Sequence, residues 1–449
     1  MAGMPNRLIS TAFLVFTFWI WSSGPAVAIP PINRLSLPNK MVLLLTEEHS
    51  LPFVSLQVVV DGGSRQDPKG KEGLAFLTAK GILLGTSKQT LISINEALDF
   101  MGASLEVSAN KDYAAISLRV LKKDLGKGLG LLAETITRPI FPEEELRKEA
   151  NKILGAIKSA EEDPGEVAEK AFDRIVFQDS PYGHPVEGTK ESVPKLIRDD
   201  VVRFYKTFYH PNNALLSIAG DITPDEIKTK VIPLFAEWPT GPIPKSNINQ
   251  GVAKKSEVLK INRDLAQANV IIGGIGVARS NPDYYALTVM NYILGGGGFG
   301  SRLMDEIRVK RGLAYSVGSF FDSKKYDGAF QLVLQTKNSS AVEAISLAMK
   351  QMEQIRKEPV SVEALQRAKN YLIGSFPMRF DTQGKLVNFL SQVEFFGLGL
   401  DYPEKYPTLI KSVSREDILR VAKRYLHPEQ SLQVIVGNLK EAGLLAPDH

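Results

Sequence analysis

The chain repeats itself. Asp200-Val201-Val202-Arg203, followed by Lys206, His210-Pro211, Leu215 and Gly220, matches Asp417-Ile418-Leu419-Arg420, Lys423, His427-Pro428, Leu432 and Gly437 at a spacing of 217 residues without a gap. A repeat of this length fixes architecture before any local signal, because one order of elements must be built twice. In both copies an amphipathic helix runs into a His-Pro break, and proline cannot continue a helix. An apolar run follows, Leu215 to Ala219 or Leu432 to Val436, with the composition of a strand. Farther upstream, Leu56 to Val60 ahead of Pro68 and Val270 to Ile272 ahead of Pro282 each predict a strand, a turn and then a helix.

Between the copies, Pro239 to Ser256 carries Gly241, Pro242, Pro244 and Asn247 with few apolar residues, which reads as a linker. The division is therefore a first domain over 29–240, a linker over 241–256 and a second domain over 257–449. In the first copy, strands are expected near 41–46, 54–60, 104–109 and 113–120. Helices are expected near 73–84, 93–101, 122–136 and 143–162, the last bounded by Phe141-Pro142 and Asp163-Pro164. Hairpin strands mixed with paired helices make each copy α+β, a sheet expected to be covered on one face.

The first 28 residues read as an export signal outside the fold. Arg7 is the charged start, Leu8 to Trp21 is an apolar run short of the roughly 20 residues that span a bilayer, and Ala26-Val27-Ala28 is a small-residue cleavage site. Cleavage after Ala28 leaves 53 basic against 50 acidic residues, +3, and an exported, periplasmic chain without a stable membrane anchor is expected. That balance names no nucleic-acid or other polyanionic partner. With no cysteine, the chain has no disulfide, thiol nucleophile or Cys-bound metal, and no two of its five histidines lie four apart on one helix. Ser64, Ser301 and Ser316 lie in no nucleophile-elbow pattern.

Two long motifs carry a family resemblance. Val58 to Thr86 (VVVDGGSRQDPKGKEGLAFLTAKGILLGT) and Ile293 to Val317 (ILGGGGFGSRLMDEIRVKRGLAYSV), with the duplication, resemble the pitrilysin or M16 metallopeptidases. The likeness is greatest to short bacterial members and to mitochondrial processing peptidase subunits, and it covers essentially the whole mature chain. It implies a tandem pair of homologous sheet-plus-helix domains forming one half of a clam-shell.

The departure from the family pattern carries as much information as the match. The resemblance implies a His-x-x-Glu-His helix, two zinc ligands and a water-activating glutamate, where this chain has Phe76, Ala79 and Lys80. Matching Glu149 to an earlier family glutamate puts the third ligand at Ala156. No zinc or other cofactor is therefore expected in this chain. Lys80 is expected to stand where the metal would, either with Glu149 as its counter-charge or solvated in a wet chamber. The second motif retains the family's arginine and tyrosine, which fall on Arg308 and Tyr315.

The expected role is a non-catalytic subunit of a heteromeric zinc peptidase. It would supply Arg308 and Tyr315 in trans to a homologous zinc-bearing partner that cleaves extended peptides. The alternative is a peptide-binding or scaffold protein of the same fold with no part in proteolysis. Gly295 to Gly298 with Gly300 lacks the Gly-Lys-Ser/Thr of a phosphate loop and is expected to permit a tight turn. A share in handling substrate peptide is the other role open to it.

Overall fold

The computed structural model describes residues 31–445 apart from 179, 246–247 and 249–255. The export segment and most of the linker lie outside the described residues. Two sheets are built, one per copy. The first joins β1 (Ile32–Ser36), β2 (Val42–Glu47), β3 (Phe53–Val60), β4 (Ser104–Ala109), β5 (Ala114–Leu121) and β6 (Ala214–Gly220) in the order β1-β2-β6-β3-β5-β4. The second joins β7 (Glu257–Asn262), β8 (Gln267–Ile275), β9 (Ala314–Ser323), β10 (Gly328–Lys337) and β11 (Leu432–Gly437) in the order β7-β11-β8-β10-β9.

The repeat is visible in the pairing. The strand after each His-Pro break, β6 or β11, lies parallel to β2 or β7 and antiparallel to the central strand β3 or β8. β4 and β9 are left as edges.

Helix boundaries follow local chemistry. α1 (Leu74–Gly81) starts behind Gly73, whose φ of +94° and 2.6 Å approach to the Glu187 carbonyl leave no place for a Cβ. α2 (Glu143–Ala160) opens with three glutamates on its positive N-terminal end. α3 (Pro164–Val176) begins on proline, and the Asp163 side chain accepts from the Gly165 and Glu166 N–H groups. α4 (Arg198–Phe208) is the first His-Pro helix. In the second copy come α5 (Tyr284–Asn291), α6 (Gln383–Phe395) and the second His-Pro helix α7 (Arg415–Tyr425).

Each sheet is covered on both faces, not one as the sequence led us to expect, because each copy lends a helix to the other. In β8, Val270 and Ile272 pack against the second copy's own helices. Ile271, pointing the opposite way, packs with Val434 and Val436 against Ala168, Ala171 and Phe172 of α3. Reciprocally, α6 lies on β3 and β6: Ser391 Oγ donates to Ser217 Oγ at 3.0 Å, and Phe395 packs against Val59, Ala115 and Leu215. Strand β3 is accordingly buried through nearly its whole length.

The copies also meet at two hairpin turns. Asp112, in the turn between β4 and β5 and only 4% exposed, accepts from the Lys325 N–H at 2.9 Å and the Tyr182 hydroxyl at 2.6 Å, with Arg65 Nε 3.3 Å away. Lys325, in the turn between β9 and β10, reaches Asp61 at 2.6 Å. Among the described residues no helix is long and apolar enough to cross a membrane.

Candidate functional site

The first group of site residues sits on α1. Asp67 anchors the start of the helix, its carboxylate accepting from the Gly73 and Ala75 N–H groups at 2.8 and 2.7 Å. Phe76 and Lys80 are one turn apart on one face, and the Lys80 ammonium lies 5.5 Å from the Phe76 ring centroid. Ala79 is 1% exposed and packed into the core. Ala156, on α2, is exposed.

None of these side chains fits zinc. Phe76, Ala79 and Ala156 offer no lone pair, and a lysine ammonium has donors only. Among the described residues no group of three His, Cys, Asp or Glu side chains is arranged to hold a metal. The expected Lys80–Glu149 pair does not form. Glu149 is engaged by Lys152 one turn along its own helix, at 3.0 Å. The Lys80 ammonium instead donates to the Val107 carbonyl of β4 at 2.9 Å. The half-buried ammonium is satisfied by the fixed main chain of a neighbouring strand, and the Glu149 carboxylate by a lysine of its own helix.

The second group is assembled on the second sheet. Arg308 lies in an irregular helical turn, Met304–Val309, and Tyr315 lies at the start of β9. The Arg308 guanidinium carbon is 5.8 Å from the Tyr315 ring centroid and 5.2 Å from that of Phe299. Both rings are exposed, Tyr315 by 69% and Phe299 by 70%.

Neighbouring charges are consumed elsewhere. Lys310 takes Asp305 and Glu306, and Arg311 takes Glu306 at 2.7 Å. Arg308 has no ion pair within 4.0 Å among the described residues and presents its charge between two aromatic faces. Phe299 escaped the sequence reading. Its signal was a lone aromatic inside a glycine run, where nothing local explains a large side chain.

The glycine run has a steric reason. A Cβ on Gly295 would lie 2.4 Å from Ser319 Oγ and 2.6 Å from Ser319 N, so only glycine lets this turn lie against β9. The run permits a tight turn, as expected, and no phosphate cradle is formed. The two groups are carried by different sheets, Phe76 and Lys80 beside the first, Arg308, Tyr315 and Phe299 beside the second.

Fold and site together define a duplicated metallopeptidase scaffold lacking the side chains that would hold its metal. Residues 42–190 match the insulinase (peptidase family M16) profile and residues 195–372 the M16 inactive-domain profile. An uncharacterized zinc protease of Mycobacterium leprae is 30% identical over 308 residues, 67% of this chain and 68% of that protein. The non-peptidase homolog YmxG of Helicobacter pylori is 27% identical over 411 residues, 91% of this chain and 94% of the relative. A crystal structure titled peptidase M16 inactive domain, from Pseudomonas fluorescens, superimposes with a TM-score of 0.85 at 27% identity, covering 91% of this chain and 98% of that one. The chain belongs to the M16 peptidase family.

Proposed function

We propose that this chain is the non-catalytic subunit of an exported, two-subunit M16 peptidase. It pairs with a homologous subunit that carries an intact His-x-x-Glu-His and holds the zinc. Arg308 and Tyr315 face that partner's site, where a cation and a phenol stabilise the oxyanion that develops on a peptide carbonyl under attack. Substrates are extended peptides, held mainly through their backbone and so accepted with loose sequence preference.

One observation carries this reading: the asymmetry between the half-sites. Every position for metal chemistry on α1 and α2 holds a side chain with no lone pair to give a metal, while on the second sheet a cation without an ion pair stands between two exposed aromatics. A half-buried arginine with no ion pair within 4.0 Å and a largely exposed tyrosine contribute little charge-pairing energy to the fold, so their assembly is accounted for by something they meet from outside.

The test is reconstitution with a homologous zinc-bearing subunit. The isolated chain should show no chelator-sensitive cleavage of a peptide mixture. In the complex, Arg308→Ala or Tyr315→Phe should lower turnover by about 100-fold to 1,000-fold. Association and melting temperature should stay unchanged. Full turnover with both residues replaced would assign the chain the scaffold role instead.

A further inference from the structure

The turn that carries Arg308 has a second face. Arg308 looks toward Phe299 and Tyr315, whereas Arg302, Asp305 and Glu306 face the long helix Ala341–Lys357 across a cavity of about 260 Å³. At roughly 30 Å³ per water molecule that is the room of about eight or nine waters, enough for one small solute with some water around it. From the helix, Lys350 and Gln351 line the opposite wall.

The charges here divide into those already paired and those left over. Lys310 holds Asp305 at 2.8 Å and Glu306 at 2.5 Å, and Arg311 holds Glu306 at 2.7 Å. Both carboxylates are thus neutralised by cations just beyond their own turn. Arg302 differs: it is half-buried and, among the described residues, makes neither an ion pair within 4.0 Å nor a side-chain hydrogen bond. Burial works against its charge, and Glu358, beyond ion-pair distance, offsets that only in part. Lys350 is likewise without an ion pair among the described residues. Gln351 is only 6% exposed, and its amide lines the cavity with no hydrogen-bond partner among the described residues.

A guanidinium set into a wall without a partner is costly, and so is a buried amide whose hydrogen bonds are left unmade. One group in the cavity that accepts from both removes both costs. Guanidinium and ammonium are donors only, and the carboxamide donates from its nitrogen, so the group they await is an acceptor. Four cations, with Lys310 counted, surround the cavity against two carboxylates, so that acceptor is an anion. The fork of an arginine matches two oxygens of a phosphate.

We propose that this cavity is an oxyanion site for a phosphate group, free or at the end of a small phosphoester, held by Arg302 and Gln351 with Lys350 beside it. Bound there, the anion ties the turn that carries Arg308 to the helix behind it. The inference stands apart from the partner reading, since it concerns this chain alone.

The experiment is calorimetric titration of the full mature chain, in a buffer free of phosphate and sulfate, with inorganic phosphate and separately with glycerol 3-phosphate. Sodium chloride at matched ionic strength is the blank. One saturable site per chain is expected, and the tighter of the two ligands tells whether free phosphate or a phosphoester is the better fit. Arg302→Gln should weaken binding by about tenfold to 100-fold and Gln351→Leu by about twofold to tenfold, the ranges for a charged and a neutral hydrogen bond. The ligand should slow amide hydrogen exchange across Met304–Val309 in the wild type and not in Arg302→Gln. With no partner to lose, Arg302→Gln should melt no lower than wild type in the phosphate-free buffer. Absence of saturable binding to the wild type beyond the chloride blank overturns the proposal without any variant. Unchanged affinity in Arg302→Gln overturns it too, as does a lower melting temperature of that variant, which would mean the guanidinium already has a bond within the protein.

Discussion

α1 in the first copy and α5 in the second occupy matching places, and each sends a side chain from its last turn to the edge strand of its own sheet. Lys80 does so from a helix whose metal positions offer no lone pair. Asn291 does so beside a glycine turn that carries Phe299 toward Arg308 and Tyr315. The difference teaches where a duplicated scaffold is free to diverge. The sheets and their shared strand order are held in common because each sheet is buried against a helix of the other copy, and the His-Pro helices because α4 packs on α1 and α7 on α5 within their own copies. The helix ends and the loops at the sheet edges carry no such constraint, and there one copy has lost its chemistry while the other presents an unpaired cation.

The copies share their sheet covers, and the largest expected effect comes from separating them. A fragment of residues 31–240 expressed alone lacks α6, which covers one face of its sheet. It should show no cooperative thermal transition by calorimetry, and co-expression with residues 241–445 should restore one. A fragment that melts cooperatively by itself would mean the exchanged helix is dispensable.

Next in size is the inequality of the two exchanged helices. Phe172 on α3 is fully buried against the second sheet, so Phe172→Ala should cost about 3–5 kcal/mol in denaturant unfolding. Phe395 on α6 is only half-buried, and Phe395→Ala should cost about 1–2 kcal/mol. Equal losses would show that the exchange is more symmetric than its side chains.

The smallest effect concerns Asp200 and Asp417, repeat partners in the first turns of α4 and α7. Burial works against the Asp200 charge, but the Lys71 ammonium at 2.6 Å and the Ile197 N–H outweigh it and hold the carboxyl below the usual range. Asp417 is held down chiefly by the Ser414 N–H, with the Ser414 hydroxyl and Arg420 adding to it. A carboxyl depressed by folding stabilises fully above its ordinary value near 4 and loses that contribution as pH falls through the lower folded value. Asp200→Asn and Asp417→Asn should each cost about 1 kcal/mol at neutral pH, typical for a helix N-terminal bond. Each should also flatten the fall in melting temperature below about pH 4. An unchanged acid limb in either variant would separate the two copies.

Much of this was legible in the sequence for physical reasons. Proline and the His-Pro breaks mark helix ends through backbone sterics, which act locally. α2 accordingly ends at Ala160, two residues short of the expected boundary. The absence of zinc ligands at Phe76, Ala79, Lys80 and Ala156 needs only side-chain chemistry. What stayed hidden is non-local. The apolar stripe of α3, with Ala168, Ala171 and Phe172, says that a face is buried but not against which sheet. The partner of Lys80 was misjudged because charge pairing is visible in a sequence, whereas the outward carbonyl of an edge strand exists only once the register is set. Phe299 reaches Arg308 only through the turn that Gly295 allows against β9.

The exchange of helices also sets a timetable for synthesis. The first sheet is complete in sequence at Gly220, yet the face formed by Val59, Ala115 and Leu215 waits for a helix that ends at Phe395. At roughly 5–20 residues per second that wait is on the order of ten to thirty seconds. Throughout it the apolar strands that build that face have nothing within the chain already made to cover them, so the newborn protein depends on whatever shields those segments until its second half arrives.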